Sequence, residues 1–296
     1  AGGFPPIINA GDVSNTGVEL EVGYFTDPSR ELRFSANYNV TFLNNKVTRT
    51  PEGIEFLPGA QFGVGGNVAT RFEEGFPIGY FIGYETDGVF QSQQEIDDAP
   101  VTQAGAKPGD FRFVDQNGDG KISFSDDSDQ TMIGSPIPEF TMGLNLTFNY
   151  KGFDLSTNIY AALGHEIIRN YERQQPYANQ LNYVINRWTG TGSTDEFPRL
   201  TTGSTRNTVF SDYFVEDGSF VRMRNIQLGY TFPRKWMQYA SFSSLRVYVA
   251  ANNLLTITGY QGYDPDIGSA SALSAGVDYG FYPQARTVMV GFNLKF

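Results

Sequence analysis

Apolar and polar residues alternate along much of this chain, most clearly at its end. In TVMVGFNLKF, Val288, Val290, Phe292, Leu294 and Phe296 are apolar, while Thr287, Gly291, Asn293 and Lys295 between them are small or polar. A period of two belongs to a strand with one dry face. A closing strand that ends on an aromatic residue points to an outer-membrane barrel, where it must pair laterally and face lipid.

The same pattern predicts a series of hairpins. Val18, Leu20, Val22 and Tyr24 alternate with Glu19, Glu21 and Gly23, and the turn Asp27-Pro28-Ser29-Arg30 leads into Leu32, Phe34, Ala36, Tyr38 and Val40. Phe140 to Tyr150 alternates again and restarts after Lys151-Gly152 with Phe153, Leu155 and Ile159. Further strands are expected at about 76–90, 220–232, 243–255 and 285–296, with a weaker one near 61–72. The intervening side chains are repeatedly Asn, Thr, Ser, Glu and Arg, which a wet lumen accepts and a sandwich core does not. A one-sided soluble sheet gives the same alternation. The connections favour the barrel: about 50 residues separate Phe90 from Phe140 and about 55 separate Gly164 from Phe220, lengths rare as unstructured loops in compact soluble domains. Short turns on one side and long loops on the other are how outer-membrane barrels are built. No linker divides the chain into two domains.

Composition narrows the class by exclusion. The 296 residues are 40% hydrophobic with a mean hydropathy of −0.31, so no stretch resembles an apolar helix of membrane length. Any crossing is made by β structure. The chain holds 33 Gly, 17 Tyr and 25 Phe, matching a need for turns and interfacial aromatics, and no Cys, which excludes disulfides. The net charge of −11 argues against a nucleic-acid partner, and no cluster of Lys and Arg answers to phosphate.

Most of that charge lies between Glu85 and Asp129, and within this stretch sits the strongest chemical motif. Asp115, Asn117, Asp119, Ser123 and Asp126 place side-chain oxygens at positions 1, 3, 5, 9 and 12 of a calcium-type loop. Gly120 provides the sharp turn at position 6, the Lys121 carbonyl is the ligand at position 7, and Ile122 is apolar at position 8. A hard cation needs six to eight oxygens, and this spacing wraps them around one point. Asp126 stands where Glu is usual, so its shorter arm binds through one oxygen. A metal-free cluster of Asx turns would use the same residues. The expected metal is a structural Ca2+ held in the weak extracellular class, with Kd of about 10⁻⁴ to 10⁻³ M.

Catalysis finds little support. The only histidine, His165, follows a strand in Leu163-Gly164-His165-Glu166, and no Ser in a nucleophile-elbow context accompanies it. Adjacent acids such as Asp97-Asp98 and Asp126-Asp127 are read as solvated or metal-bound, so no catalytic residues are assigned. The sequons at Asn39 and Asn145 lie inside expected strands, and Gly63, Gly65 and Gly66 flank no strand-to-helix turn.

Several blocks together resemble one family. SNTGVELEVGY (14–24), GFPIGYFIGYETDGVF (75–90), PGDFRFVDQNGDGKISFSDDSDQTMIGSPIPEFTMGLNLTFNYKGFDLS (108–156), RW (187–188), FPRL (197–200), VEDGSFVRMRNIQLGYTFP (215–233), LRVYVAANNLLTITGYQGYDPDI (245–267) and the terminal GFNLKF are similar, in this order, to the C-terminal part of SusC/RagA-type TonB-dependent outer-membrane transporters of Bacteroidota. The resemblance implies an all-β fold: an antiparallel transmembrane β-barrel of 22 strands, of which residues 1–296 would supply about the last nine or ten, with the plug domain absent from this sequence. Long extracellular loops are then expected at about 91–138 and 165–218. The implied role is TonB-dependent active import of a bulky nutrient, a glycan or peptide, through the outer membrane together with a SusD-like surface lipoprotein. TonB would act through the missing N-terminal part. No substrate-binding residue is assigned; Arg222, Arg224, Asn225 and Gln227 are polar lumen candidates whose alternation is imperfect, and a structural ladder accounts for them better. The alternative is a secreted or surface calcium-stabilised β-domain acting as an adhesin or carbohydrate-binding module.

Overall fold

The computed structural model describes residues 11–172, 181–237, 243–269 and 271–296. In the first half of the chain the strands are β1 (Asp12–Phe25), β2 (Leu32–Arg49), β3 (Phe56–Pro58), β4 (Thr70–Glu73), β5 (Tyr80–Tyr84), β6 (Thr86–Val89), β7 (Phe111–Phe113) and β8 (Gln130–Gly134). The second half adds β9 (Phe140–Tyr150), β10 (Phe153–Leu163), β11 (Glu166–Arg169), β12 (Val215–Asp217), β13 (Phe220–Thr231), β14 (Ser244–Thr258), β15 (Val277–Asp278) and β16 (Thr287–Lys295).

The seven long strands form one antiparallel wall in the order β1-β2-β9-β10-β13-β14-β16. Both expected hairpins are present. Lys151 and Gly152 take φ of 46° and 90°, the left-handed pair that a two-residue turn requires to match strand twist. Asp27 builds the other turn by accepting the Ser29 amide at 2.8 Å. Register then sorts the side chains by chemistry. On one face a level runs through Tyr24, Ala36, Leu146, Thr157, Ile226, Ala251 and Val288. On the other, Asn37, Asn145, Asn158, Asn225 and Asn252 stand opposite one another on five successive strands, ending at Thr287. Amides relay across the strands from Asn158 to Asn145 at 2.7 Å, Asn225 to Asn252 at 2.8 Å and Asn252 to the Thr287 hydroxyl at 3.2 Å, while Asn37 donates to Glu21 at 2.8 Å.

Aromatics mark both ends of the apolar face. Tyr150, Phe153, Tyr230 and Phe292 lie level with Leu32 near the tight turns, and Phe42 packs edge-on against Phe140 at 4.8 Å toward the far end. From Leu32 to Phe42 is about 33 Å along the strand at 3.3 Å per residue, and a barrel tilt of about 40° projects this to about 25 Å. That is the height of the apolar band of a membrane barrel. The large side chains of this face lack cover: Val288, Val290 and Phe292 are 66%, 76% and 67% exposed. On the polar face Tyr248 lies over Gly291, where an added Cβ would come within 2.5 Å of its ring.

Among the described residues the wall holds seven strands, where about nine or ten were expected of the chain. The segment 76–90 does not join it. β5 is buried on both sides, from Tyr80 through Tyr84, so it is an interior strand with continuous apolar character and not an alternating wall strand. It belongs to the four-stranded sheet β3-β4-β5-β8, in which the weaker region near 61–72 contributes only β4. With β12-β11-β15 and the pair β6-β7, these short strands turn the long connections into a packed body at the wall end opposite the tight turns. Two aromatic clusters hold it: Phe62, Phe81, Ile168, Phe210 and Phe214 in one, Tyr84, Phe111, Phe113 and Ile122 in the other, with Tyr213 packed against both. The body hangs on β2 through Phe76, whose carbonyl accepts the Val47 amide at 2.8 Å, and through Ile78, whose amide donates to Asn45 at 2.8 Å.

His165 sits where β10 passes into this body. It is 7% exposed, lies edge-on to Phe220 at 6.3 Å, and leaves no room for a Cβ on Gly218. Burial pulls its imidazole below the ordinary value, against the attraction of Asp217 and Asp266. Its Nδ1 has no hydrogen-bond partner among the described residues.

Two outcomes are expected. Phe81→Ala opens a cavity between β5 and Phe210, costing about 3–5 kcal/mol, and limited proteolysis registers it as faster cleavage within 91–138 and 165–218 while the wall remains resistant. Because burial favours the neutral His165 imidazole in the folded state, stability is full above the unfolded value of about pH 6.5 and is lost as pH falls through the lower folded one; melting curves of His165→Phe should lose that slope.

Candidate functional site

The acidic loop is built from Asx turns. Asp115 accepts the amides of Gly118 at 2.7 Å and Gly120 at 2.8 Å, Asn117 accepts that of Asp119 at 2.8 Å, and Asp119 accepts that of Lys121 at 3.0 Å. Gly118 and Gly120 take φ of 74° and 82°, which lets the chain turn tightly enough to bring these groups together. The amide of Gly120, then desolvation working against it, sets the Asp115 carboxyl, with a net shift below the ordinary value. Ile122, the apolar residue expected at position 8, is buried in the second cluster and anchors the loop.

Position 12 of the loop is Asp126. Asp126 accepts the Ser128 amide at 3.1 Å, and that bond and the Ser128 hydroxyl hold its carboxyl below the usual range. The loop is closed instead by Asp129, fully buried, which accepts Gln116 N at 3.2 Å and Ser123 N at 2.7 Å. Sequence spacing missed Asp129 because it serves backbone amides and not a position in the twelve-residue pattern. Among the described residues no three His, Asp or Glu side chains gather as a metal cluster. The side chains of Asp115, Asn117, Asp119 and Ser123 and the Lys121 carbonyl all present oxygens, the donor type a hard cation takes.

The lumen candidates resolve into a staple. The register skips Arg224 between Met223 and Asn225, and this bulge is why alternation fails in the sequence: Arg222 and Asn225 share a face. Arg222 is 2% exposed and donates to Asp264, to Asp266 at 3.3 Å and to the Thr256 hydroxyl at 3.0 Å. Arg224 covers the Tyr160 ring at 3.8 Å and reaches Asp266 at 3.6 Å. Asn225 is in the amide ladder, and Gln227 stands opposite Ser156 and Ala250. The arginines thus tie the connection after β14 to the wall.

A cleft of about 1400 Å3, unanticipated from the sequence, lies within the body and opens beside β11 and β12. Arg169 forms part of its wall, buried between Glu172 at 2.6 Å and Glu216 at 2.7 Å. The guanidinium faces the rings of Tyr183 at 4.7 Å, Tyr213 at 5.1 Å and Phe214 at 5.8 Å. Burial pushes the hydroxyls of Tyr183 and Tyr213 up, and that of Tyr171 to about 12. Asp212, also raised by burial, accepts the Thr86 hydroxyl at 2.7 Å. No local motif announces this cleft, since its described residues come from 86–88, Phe111, 169–171, 181–186, 194–197, 212–217 and 259–261.

No protein-family profile matches the chain. The TonB-dependent receptor P3 of Formosa agariphila is 33% identical over 98% of the chain, which spans 29% of that relative. The TonB-dependent receptor SusC of Bacteroides thetaiotaomicron is 27% identical over 97% of the chain, spanning 27% of that relative. The structure of the RagAB peptide transporter superposes with a TM-score of 0.74 at 23% identity, over 97% of this chain and 30% of that one, and shows the shared fold. These relatives are named as receptors and transporters, not enzymes. An antiparallel wall with two chemically distinct faces, a packed body at one end and homology across nearly the whole length agree: the chain belongs to the TonB-dependent receptors of the SusC/RagA type and spans about three tenths of their length.

Proposed function

We propose that this chain is part of the barrel wall and outer loops of an outer-membrane importer that takes up a bulky nutrient, a glycan or peptide, in a TonB-dependent way. The observation that carries the reading is the two-faced wall: an apolar face bounded by aromatics at a spacing of about 25 Å, backed by a polar ladder fit for a wet lumen. In this reading the apolar face meets lipid, the tight turns at 27–30 and 151–152 lie on the periplasmic side, and the packed body faces outward, where a SusD-like lipoprotein would meet it. TonB would act through a segment outside this chain. The likeness to SusC and to the RagAB peptide transporter supports import and leaves both cargo classes open.

The acidic loop fits the same reading as a calcium-pinned element of the outer body. Asp115, Asn117, Asp119, Ser123 and the Lys121 carbonyl would supply oxygens, with Asp126 joining if it leaves Ser128. The ion would fix the loop against Ile122 and the second aromatic cluster.

Detergent extraction separates the importer from the adhesin reading. The full-length protein should stay in the membrane fraction through high salt and chelator and leave it only with detergent; release by salt alone removes the importer. Val288→Arg, at mid-height on the apolar face, should cost about 2–4 kcal/mol in refolding titrations into bilayers. For the loop, millimolar calcium should slow proteolysis between Asp115 and Ser128, chelator should reverse this, and Asp115→Asn should abolish the response; a response unchanged by that substitution removes calcium from the account.

A further inference from the structure

The cleft beside Arg169 has a charge balance that bears on cargo. Among the described residues its lining holds five carboxylates, those of Asp195, Glu196, Asp212, Glu216 and Asp217, and one cation, Arg169. Two of these acids are engaged internally: Glu216 pairs with Arg169, and Asp212 holds Thr86. The other three are exposed and largely open. Asp195 accepts only the Val89 amide, at 3.1 Å, Asp217 accepts the Ser219 amide at 2.8 Å, and the Glu196 carboxylate makes no hydrogen bond or ion pair among the described residues.

The aromatic lining is a second, independent feature. Tyr183 stacks on Phe197 with centroids 6.0 Å apart, and Tyr213 stands edge-on to both at 6.4 and 6.3 Å. One side of this ring group is already occupied by the guanidinium of Arg169 between two carboxylates. The protein thus displays in its own wall the coordination that a planar cation takes: aromatic faces for the plane, carboxylates for the N–H fork. Phe197 and its sequence neighbours Asp195 and Glu196, together with Asp217, line the cleft as well, so the same elements recur in its wall.

We propose that this cleft recognises guanidinium-bearing side chains of a cargo peptide and repels polyanionic cargo. The inference rests on the import reading and names the class of cargo for it. Asp195, Glu196 and Asp217 provide the field and the acceptors, and Phe197 with Tyr183 provides the platform. Arg169 is a positioning residue that fixes Tyr183 and Tyr213.

The test uses the full-length receptor purified in detergent, titrated calorimetrically with tetra-arginine, tetraserine and tetraglutamate at low and high salt. Tetra-arginine should bind at least about tenfold more tightly than tetraserine, lose most of that margin at high salt, and compete with no tetraglutamate binding. The triple variant Asp195→Asn, Glu196→Gln, Asp217→Asn should remove the margin while leaving tetraserine unchanged, and its unboiled electrophoretic migration should match the parent, which shows that the barrel is intact. Equal binding of the three probes, no binding of any, or a margin that survives the triple variant overturns the proposal. Uptake of labelled tetra-arginine by cells with and without TonB is read separately: a charge preference without TonB-dependent uptake defeats import and leaves the cleft's specificity standing.

Discussion

Backbone amides cannot be left unpaired in hydrocarbon, and this constraint orders the whole structure. A strand in lipid satisfies its N–H and C=O groups only through lateral neighbours, so the wall must be continuous where it meets the bilayer. The long strands meet that demand, pairing in continuous ladders interrupted only by local register shifts such as the one at Arg224. Among the described residues β1 pairs only with β2 and β16 only with β14, so the proposed barrel needs further strands on both edges. The short strands and the cleft lie off the wall in the body, where aromatic clusters and side-chain bonds take over from ladder pairing.

Given a continuous wall, the strand period of two dictates that its faces differ. The lipid side needs no polar partner and carries none of consequence; Thr157, the polar residue at mid-height, turns its hydroxyl to the Asn225 carbonyl at 2.9 Å. The lumen side must hold groups stable beside water yet able to pair with each other. Asn suits this because one amide both donates and accepts, so a row can relay bonds across strands without net charge. One ion pair on this face, Arg246 and Asp154, is bonded at 2.9 Å beside Gly229, whose missing side chain leaves room for it.

Legibility in the sequence followed this division. The hairpins at 27–30 and 151–152 and the strands now seen as β13, β14 and β16 were readable because one face is dry, which forces strict alternation. Residues 76–90 looked equally strand-like, but Tyr80 to Tyr84 are buried on both sides, and a run without alternation carries no record of which sheet it will join. The bulge at Arg224 hid the shared face of Arg222 and Asn225 for the same reason: one extra residue inverts the parity that the pattern relies on. In the acidic loop the residues from Asp115 to Ser123 were found by spacing, since local turns are encoded locally. Asp129 was not, because its partners Gln116 and Ser123 are fixed by the fold of the loop. The Arg169 cleft, assembled from stretches far apart in the chain, had no local signature to read.

The body faces an opposite problem from the wall. Its apolar residues are spent on two clusters, so the connections that cross the lumen side are fastened by charge-assisted bonds. Glu216 accepts from Arg169 on β11 and from the Gln261 amide at 2.8 Å, joining the connection before β13 to the one after β14. Asp264 accepts from Arg222 and from the Gln284 amide at 2.9 Å, joining that same connection to the wall and to the approach to β16. Bonds of this kind are directional and strong when sheltered, yet they exchange with water more readily than packed rings. The aromatic clusters therefore give the body its shape, and the arginine staples set how firmly each connection is held across the lumen.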